Sequence, residues 1–226
     1  MNNRLKALFT TVALALVAAA CAAPQQSNVN TATSSTTNGN AATQATPPMS
    51  GMDHGNMNHG AMDHANMKSS PNAASQPYDL QFIDTMLAHH QGAVDMARPA
   101  IEKAQHNEIK EMARNIIRDQ EREIAQMKQW REQWYAGKPA SVNLEMPGMM
   151  DSMKGMDMNK LTAASGNEFD LMFLEQMTPH HQGAVVMARV ALTKAEHPEI
   201  KRIAEQIISA QEREISQMNG WKEAWR

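Results

Sequence analysis

The chain has 226 residues, of which 20 are Met, 9 are His and one is Cys. A single Cys excludes a disulfide framework, an intramolecular redox pair and a Cys-built zinc site. A formal charge of -3 leaves no basic footprint and argues against nucleic-acid binding. Four Phe, two Tyr and four Trp make too small a core to need 20 Met as filler.

Arg4 and Lys6 precede an apolar run over 7–20, and Cys21 follows. The run falls short of the roughly 20 apolar residues that a spanning helix needs, and it ends in small residues, so it reads as an export signal. Val17-Ala18-Ala19-Ala20-Cys21 resembles a bacterial lipobox, with Ala18 where Leu is more usual. This predicts a signal peptide over 1–20 and a lipid on Cys21 that anchors a periplasmic or cell-surface lipoprotein to the membrane. Ordinary cleavage with a free thiol is the alternative.

Residues 21–76 are rich in Asn, Ser, Thr, Gln, Ala and Gly without apolar periodicity, the composition of a disordered tether. Inside it, the segment 49–68 carries Met52, Met57, Met62 and Met67 at a spacing of five, with His54, His59 and His64 two positions after the first three. Neither a helix nor a strand has a period of five, so packing does not explain the pattern. It supplies a series of flexible Met-x-His pairs.

The domain over 77–226 is duplicated. Residues 78–134 align with 169–225 at a constant offset of 91, without gaps and with 33 of 57 positions identical, which makes each copy one supersecondary unit. In the first copy Phe82, Met86, His89, His90, Ala93, Met96 and Ala97 recur at helical spacing, as do Ile109, Met112, Ile116, Gln120, Glu123, Met127, Trp130 and Trp134. The break falls near His106-Asn107 and His197-Pro198, where Pro198 suits a first helical turn. Neither hairpin buries its apolar stripe alone, so the two predict an all-α four-helix bundle, built from repeats over 78–135 and 168–226.

The crossover, 136–166, holds Met146, Met149, Met150, Met153, Met156 and Met158 among Pro, Gly, Asp and Lys. A flexible metal-capturing loop is the favoured reading. The spacing of the first four also fits one face of a packed helical turn.

Thioethers with imidazoles select Cu(I), and imidazole with oxygen donors suits Cu(II). Outside the cytoplasm, where thiols oxidise, Met and His in place of Cys are the donors that a copper or silver site requires. Met86 and His90 lie four apart, and His89 and Met96 seven apart, so each pair shares a helix face. Met177, His181, His180 and Met187 repeat the arrangement. Core packing is the plain alternative for all eight, and the spacing leaves open which His of each pair ligates. Met127 and Met218 are candidate third ligands, again with core packing as the alternative.

Glu123 and Glu214 stand in the apolar stripe, where a carboxylate needs a partner. An ion pair with Arg98 or Arg189 is the favoured reading, and orientation of a ligating His is the other. The Trp130, Trp134, Trp221 and Trp225 pairs read as caps on the bundle ends. Pro179 interrupts the backbone hydrogen bonding beside the second His pair, so the two sites need not be equivalent. Asp95 becomes Val186, which predicts deeper burial at that position in the second copy.

At Met86-Leu87-Ala88-His89-His90-Gln91-Gly92-Ala93-Val94-Asp95-Met96-Ala97, and in the counterpart over 177–188, the chain resembles the bacterial family catalogued as domain of unknown function 305. The resemblance covers about 78–226. It implies a bundle related to the ferritin-like architecture, with copper-binding, copper-tolerance proteins among exported members and no established enzyme activity. It points to Met86, His89, His90, Met96, Met177, His180, His181 and Met187 as site residues. A di-iron enzyme would need Glu-x-x-His motifs and a zinc hydrolase His-Glu-x-x-His, and neither occurs. The expected function is therefore metal sequestration or relay without catalysis, with other periplasmic copper-handling proteins as partners. The competing readings are a metal-dependent oxidase and a structural or partner-binding bundle whose tail alone holds metal weakly.

Overall fold

The computed structural model describes residues 67–225. Two long hairpins form its body: α1 (Tyr78–Lys103) with α2 (Asn107–Tyr135), and α5 (Gly166–Lys194) with α6 (Pro198–Ala224). Two short helices, α3 (Met149–Ser152) and α4 (Met158–Ala163), punctuate the crossover. Each hairpin turns where the sequence breaks its periodicity. His106 and His197 hold extended backbone as N-caps, and Pro198 occupies the first turn of α6, where its missing N–H has no intrahelical partner to lose. Pro179 bends no boundary into α5, which runs unbroken through it.

The first helix of each hairpin is the inner one, so α1 packs on α5 and the second helices lie outside them. Asp79, at the start of α1, bonds to Glu196 and His197 beyond the end of α5, so the inner helices run antiparallel. Their sequences alternate apolar and polar levels along the bundle axis. One apolar cluster unites Phe82, Met86, Met127 and Trp130 with Met187, Ile200, Ile203 and Ile207. The other unites Met96, Ile109, Met112 and Ile116 with Phe169, Phe173, Met177 and Met218. Between them in sequence, on all four long helices, stand the buried polar residues His89 and His90, Gln120 and Glu123, His180 and His181, and Gln211.

The crossover departs from the flexible loop expected of it. Met146 and Met149 are buried, and α3 lies on α5, because Gly183 lets the crossover backbone approach: a Cβ there would collide with the carbonyl oxygen of Gly148 and with Ser152. Packing an apolar turn on a bare backbone removes more surface from water than a loop can. Residues 67–76, assigned by composition to the tether, also pack. A 3-10 turn spans Ala73–Ser75, Ser70 donates its backbone N–H to the Val142 carbonyl at 2.8 Å, and Met67 lies partly buried against the first apolar cluster. Val186 is 42% exposed whereas Asp95 is half-buried, the reverse of the expected trend. Val186 flanks the crossover at Gly148 without being covered by it.

Candidate metal centre

The tandem His pairs divide their work. A helix turns about 100° per residue, so neighbouring imidazoles face different partners. His90 and His181 turn toward the outer helix of their own hairpin. His89 and His180 turn toward each other across the α1–α5 seam, with ring centroids 3.8 Å apart, and Nε2–H of His89 donates to the backbone carbonyl of His180 at 3.1 Å.

His90 Nε2 lies 2.7 Å from Glu123 Oε2, and His181 Nε2 lies 2.8 Å from Glu214 Oε2. Both imidazoles are fully buried. The carboxylates therefore orient the histidines. They do not pair with the arginines, since Arg98 takes Glu121 at 2.6 Å and Arg189 takes Glu212 at 2.5 Å on the exposed face. Hairpin arithmetic brings His90 and Glu123 level, and the inward face of α2 completes the pairing. From the turn at His106, His90 lies 16 residues back (106 - 90) and Glu123 17 residues forward (123 - 106), so antiparallel arms bring them level.

With Nε2–H given to the carboxylate, a neutral imidazole carries its lone pair on Nδ1. Nδ1 of His90 and Nδ1 of His181 are buried and have no hydrogen-bond partner among the described residues. Such an acceptor costs about 1–3 kcal/mol if nothing fills its lone pair. Both side-chain polar atoms of Gln120, and the carbonyl oxygen of Gln211, share that condition.

Thioethers stand one helical turn away on each side. Met86 precedes His90 by four residues, and helical side chains lean over the preceding turn. Met127 follows Glu123 by four on the facing helix, and Met86, Met127 and Met187 belong to one buried cluster. The second copy repeats this with Met177, Met218 and Met96. Met86 therefore shares its cluster with Met187 of the other repeat, and Met177 shares its own with Met96. Spacing within one helix does not reveal that exchange, because antiparallel packing of α1 on α5 produces it. Met86, Met96, Met177 and Met187 are fully buried. The two copies keep the same His–Glu geometry despite Pro179. Thr178, where the first copy has Leu87, donates to the Leu174 carbonyl at 2.6 Å and lies 3.8 Å from the Met218 sulfur. Among the described residues, no three His, Cys, Asp or Glu side chains form a cluster able to hold a metal ion.

Of the tail residues singled out by sequence, Met67 lies within the structure. Met52, His54, Met57, His59, Met62, His64 and Cys21 lie outside the described residues. Among the described residues, no helix is long and apolar enough to cross a membrane.

Sequence spacing marked His106 and His197 only as breaks, yet they carry the contacts that join the repeats. His197 Nδ1 donates to Asp79 Oδ2 and His106 Nδ1 to Asp170 Oδ2, each at 2.6 Å. Trp134 and Trp225, expected as apolar caps, lie flat on these imidazoles.

The family model described as domain of unknown function (DUF305) matches residues 10–131 and again 79–222. Among solved structures, the chain is similar to CopM in its Cu(I)-bound, Cu(II)-bound and Ag-bound forms, at 44% identity and TM-scores of 0.55–0.56, over 65–66% of this chain and 96–99% of CopM. A DUF305 fragment from Deinococcus radiodurans is similar at 28% identity and a TM-score of 0.56, over 70% of this chain and 99% of that one. An uncharacterized protein of Acanthamoeba polyphaga mimivirus is 38% identical over 50 residues, so the chain spans 33% of that curated relative's length.

Proposed function

We propose that this chain, which belongs to the DUF305 family, is an exported copper-binding protein that sequesters or relays Cu(I), with Ag(I) as a competing ion and Cu(II) as a second cargo. The observation that carries this reading is the pair of buried Nδ1 atoms, on His90 and His181, without hydrogen-bond partners among the described residues and each set by a carboxylate on its Nε2. Imidazole nitrogen with two or three thioethers is a donor set that favours a soft monovalent ion. A carboxylate behind the imidazole fixes its tautomer and raises its basicity. In this reading Met86, His90, Met127 and Met187 serve one ion, Met177, His181, Met218 and Met96 a second, and His89 and His180 hold the seam between them. The similarity to CopM, solved with Cu(I), Cu(II) and Ag, supports the choice of metal.

The Met-x-His tail captures ions at weak, exchangeable sites, and a lipid on Cys21 keeps the bundle near a membrane where a periplasmic partner accepts the metal. The activity is binding and transfer without turnover. Full burial of Met86, Met96, Met177 and Met187 also fits a plain helical scaffold with metal confined to the tail. Titration of the soluble mature chain with Cu(I), Ag(I), Cu(II) and Zn(II) against chelators separates the two. Tight Cu(I) and Ag(I) binding that survives deletion of the tail, with sulfur and nitrogen donors in the X-ray absorption spectrum, is the expected result. Equal, weak binding of every ion would defeat it.

A further inference from the structure

The proposed ligands are buried, so an ion must have a way in. On the α5 side, α3 rests its backbone on Gly183, between His181 and Met187. The thioethers of this crossover are graded in exposure. Met150 is 60% exposed and Met153 half-buried, while Met149 and Met146 are 1% and 5% exposed. Met146 and Met149 belong to the same buried cluster as Met187, Met86 and Met127, and Met153 packs against it. Beyond Gly155, the half-buried Met156 and Met158 pack against the other cluster, with Met96, Met177 and Met218. Five of the six thioethers in this connection thus divide between the two buried groups, and Met150 stands outside both. Large apolar side chains this exposed are rare among the described residues, Met150 and Val186 being the two, one on the crossover and the other beside it.

We propose that the crossover is the entry port for a soft monovalent cation: Met150 takes it at the surface, and Met153 and Met149 pass it inward to the thioethers around His90. The inference rests on the proposed function. Each step exchanges one thioether for another on an ion of unchanged charge, so no proton or electron moves. Thioether carries no charge and stays unprotonated, so a chain of thioethers offers an ion of this kind exchangeable contacts through an apolar layer.

The test uses the soluble mature chain and measures Cu(I) transfer from a coloured bis-chelate by stopped-flow absorbance, with Ag(I) displacement as a second readout. Leu fills nearly the volume of Met without offering sulfur, so the Met150→Leu/Met153→Leu variant leaves the fold in place, to be verified by circular dichroism. Its slow phase of uptake should fall by about tenfold or more, because entry then waits on local opening of the packed helices. The final stoichiometry and affinity should match those of the unaltered chain. Met172→Leu, on α5 outside the crossover, should leave the rate unchanged. An unaltered rate in the double variant overturns the port, and so does a loss of equilibrium affinity, which would make Met150 and Met153 ligands. If the unaltered chain binds no Cu(I) outside its tail, the proposed function itself has failed, and the port with it.

Discussion

Asp79, in the first turn of α1, accepts Nδ1–H of His197 at 2.6 Å together with the backbone N–H groups of Glu196 and His197. Asp170 does the same for His106 and the backbone of Gln105 and His106. Each carboxylate belongs to one repeat and each imidazole to the other. His197 lies flat on Trp134, with centroids 3.9 Å apart, and His106 on Trp225 at 3.8 Å, so the indole comes from the carboxylate's own repeat. The two hairpins are clasped at both ends of the bundle. Each clasp also places a negative charge at the N-terminus of α2 or α6, where the helix dipole favours it.

Removing one clasp should therefore cost more than an ordinary surface hydrogen bond. Asp79→Ala leaves two backbone donors and an imidazole donor without their acceptor, a loss of about 2–3 kcal/mol. Asp170→Ala should cost the same. The clasps share no partner and sit at opposite ends, so the double variant should lose the sum to within about 0.5 kcal/mol. Urea unfolding measures all three, and a loss below about 0.5 kcal/mol in either single variant would show the clasp to be ornamental.

Glycine at 183 is required by what lies on it, and glycine at 220 is not. A Cβ at Gly183 meets the Gly148 carbonyl oxygen and Ser152, whereas one at Gly220 meets nothing within 4 Å. Gly183→Ala should push α3 off α5 and cost about 1–3 kcal/mol, as overpacking does. Gly220→Ala, on the exposed face of α6, should stabilise by about 0.5–1 kcal/mol through helix propensity. Opposite signs in thermal or urea unfolding are the expected result, and equal shifts would mean that the crossover does not bear on α5.

The offset of 91 and the helical spacing carry both hairpins, their turns and most of the buried face. That much is legible because periodicity within a helix is a local property. What escaped the spacing depends on contacts between helices. Whether Glu123 meets Arg98 or His90 depends on which face of α2 turns inward, and the exchange of Met86 and Met187 between repeats depends on the antiparallel seam. The packing of the crossover is hidden from its sequence for a related reason. Its Gly and Pro residues suggest a loop in isolation, the spacing of its first four Met also allows a packed turn, and the bare backbone at Gly183 decides for the second. Val186 departs from expectation because an apolar substitution signals burial on average, while this one sits beside the crossover rather than beneath it.

Glu123→Gln and Glu214→Gln separate orientation from packing. Each keeps an oxygen able to accept Nε2–H, so stability should change by less than about 1 kcal/mol, but the charge behind the imidazole is lost. Cu(I) affinity of the corresponding site should fall by about 10–100-fold, the range for a lost partner behind a ligating His. Chelator competition reads the affinity, and extended X-ray absorption reads whether nitrogen leaves the coordination sphere. An unchanged affinity would remove His90 and His181 from the ligand set.

Deleting part of the tail tests the division between tail and bundle. Because Met67 packs against the first apolar cluster, the informative deletion is 49–66, which keeps Met67 and removes Met52, Met57 and Met62 with their His partners. Stoichiometry should fall while tight Cu(I) binding remains. A bound ion that recognises only the folded bundle stabilises it by RT ln(1 + [L]/Kd), about 2.7 kcal/mol at 100 times Kd. The shortened chain should therefore still show a rise in melting temperature with Ag(I), and chelation of the metal should reverse it. Ions bound through ligands that the unfolded chain keeps equally give no such rise. A melting temperature indifferent to Ag(I) in the shortened chain would place all binding outside the helices.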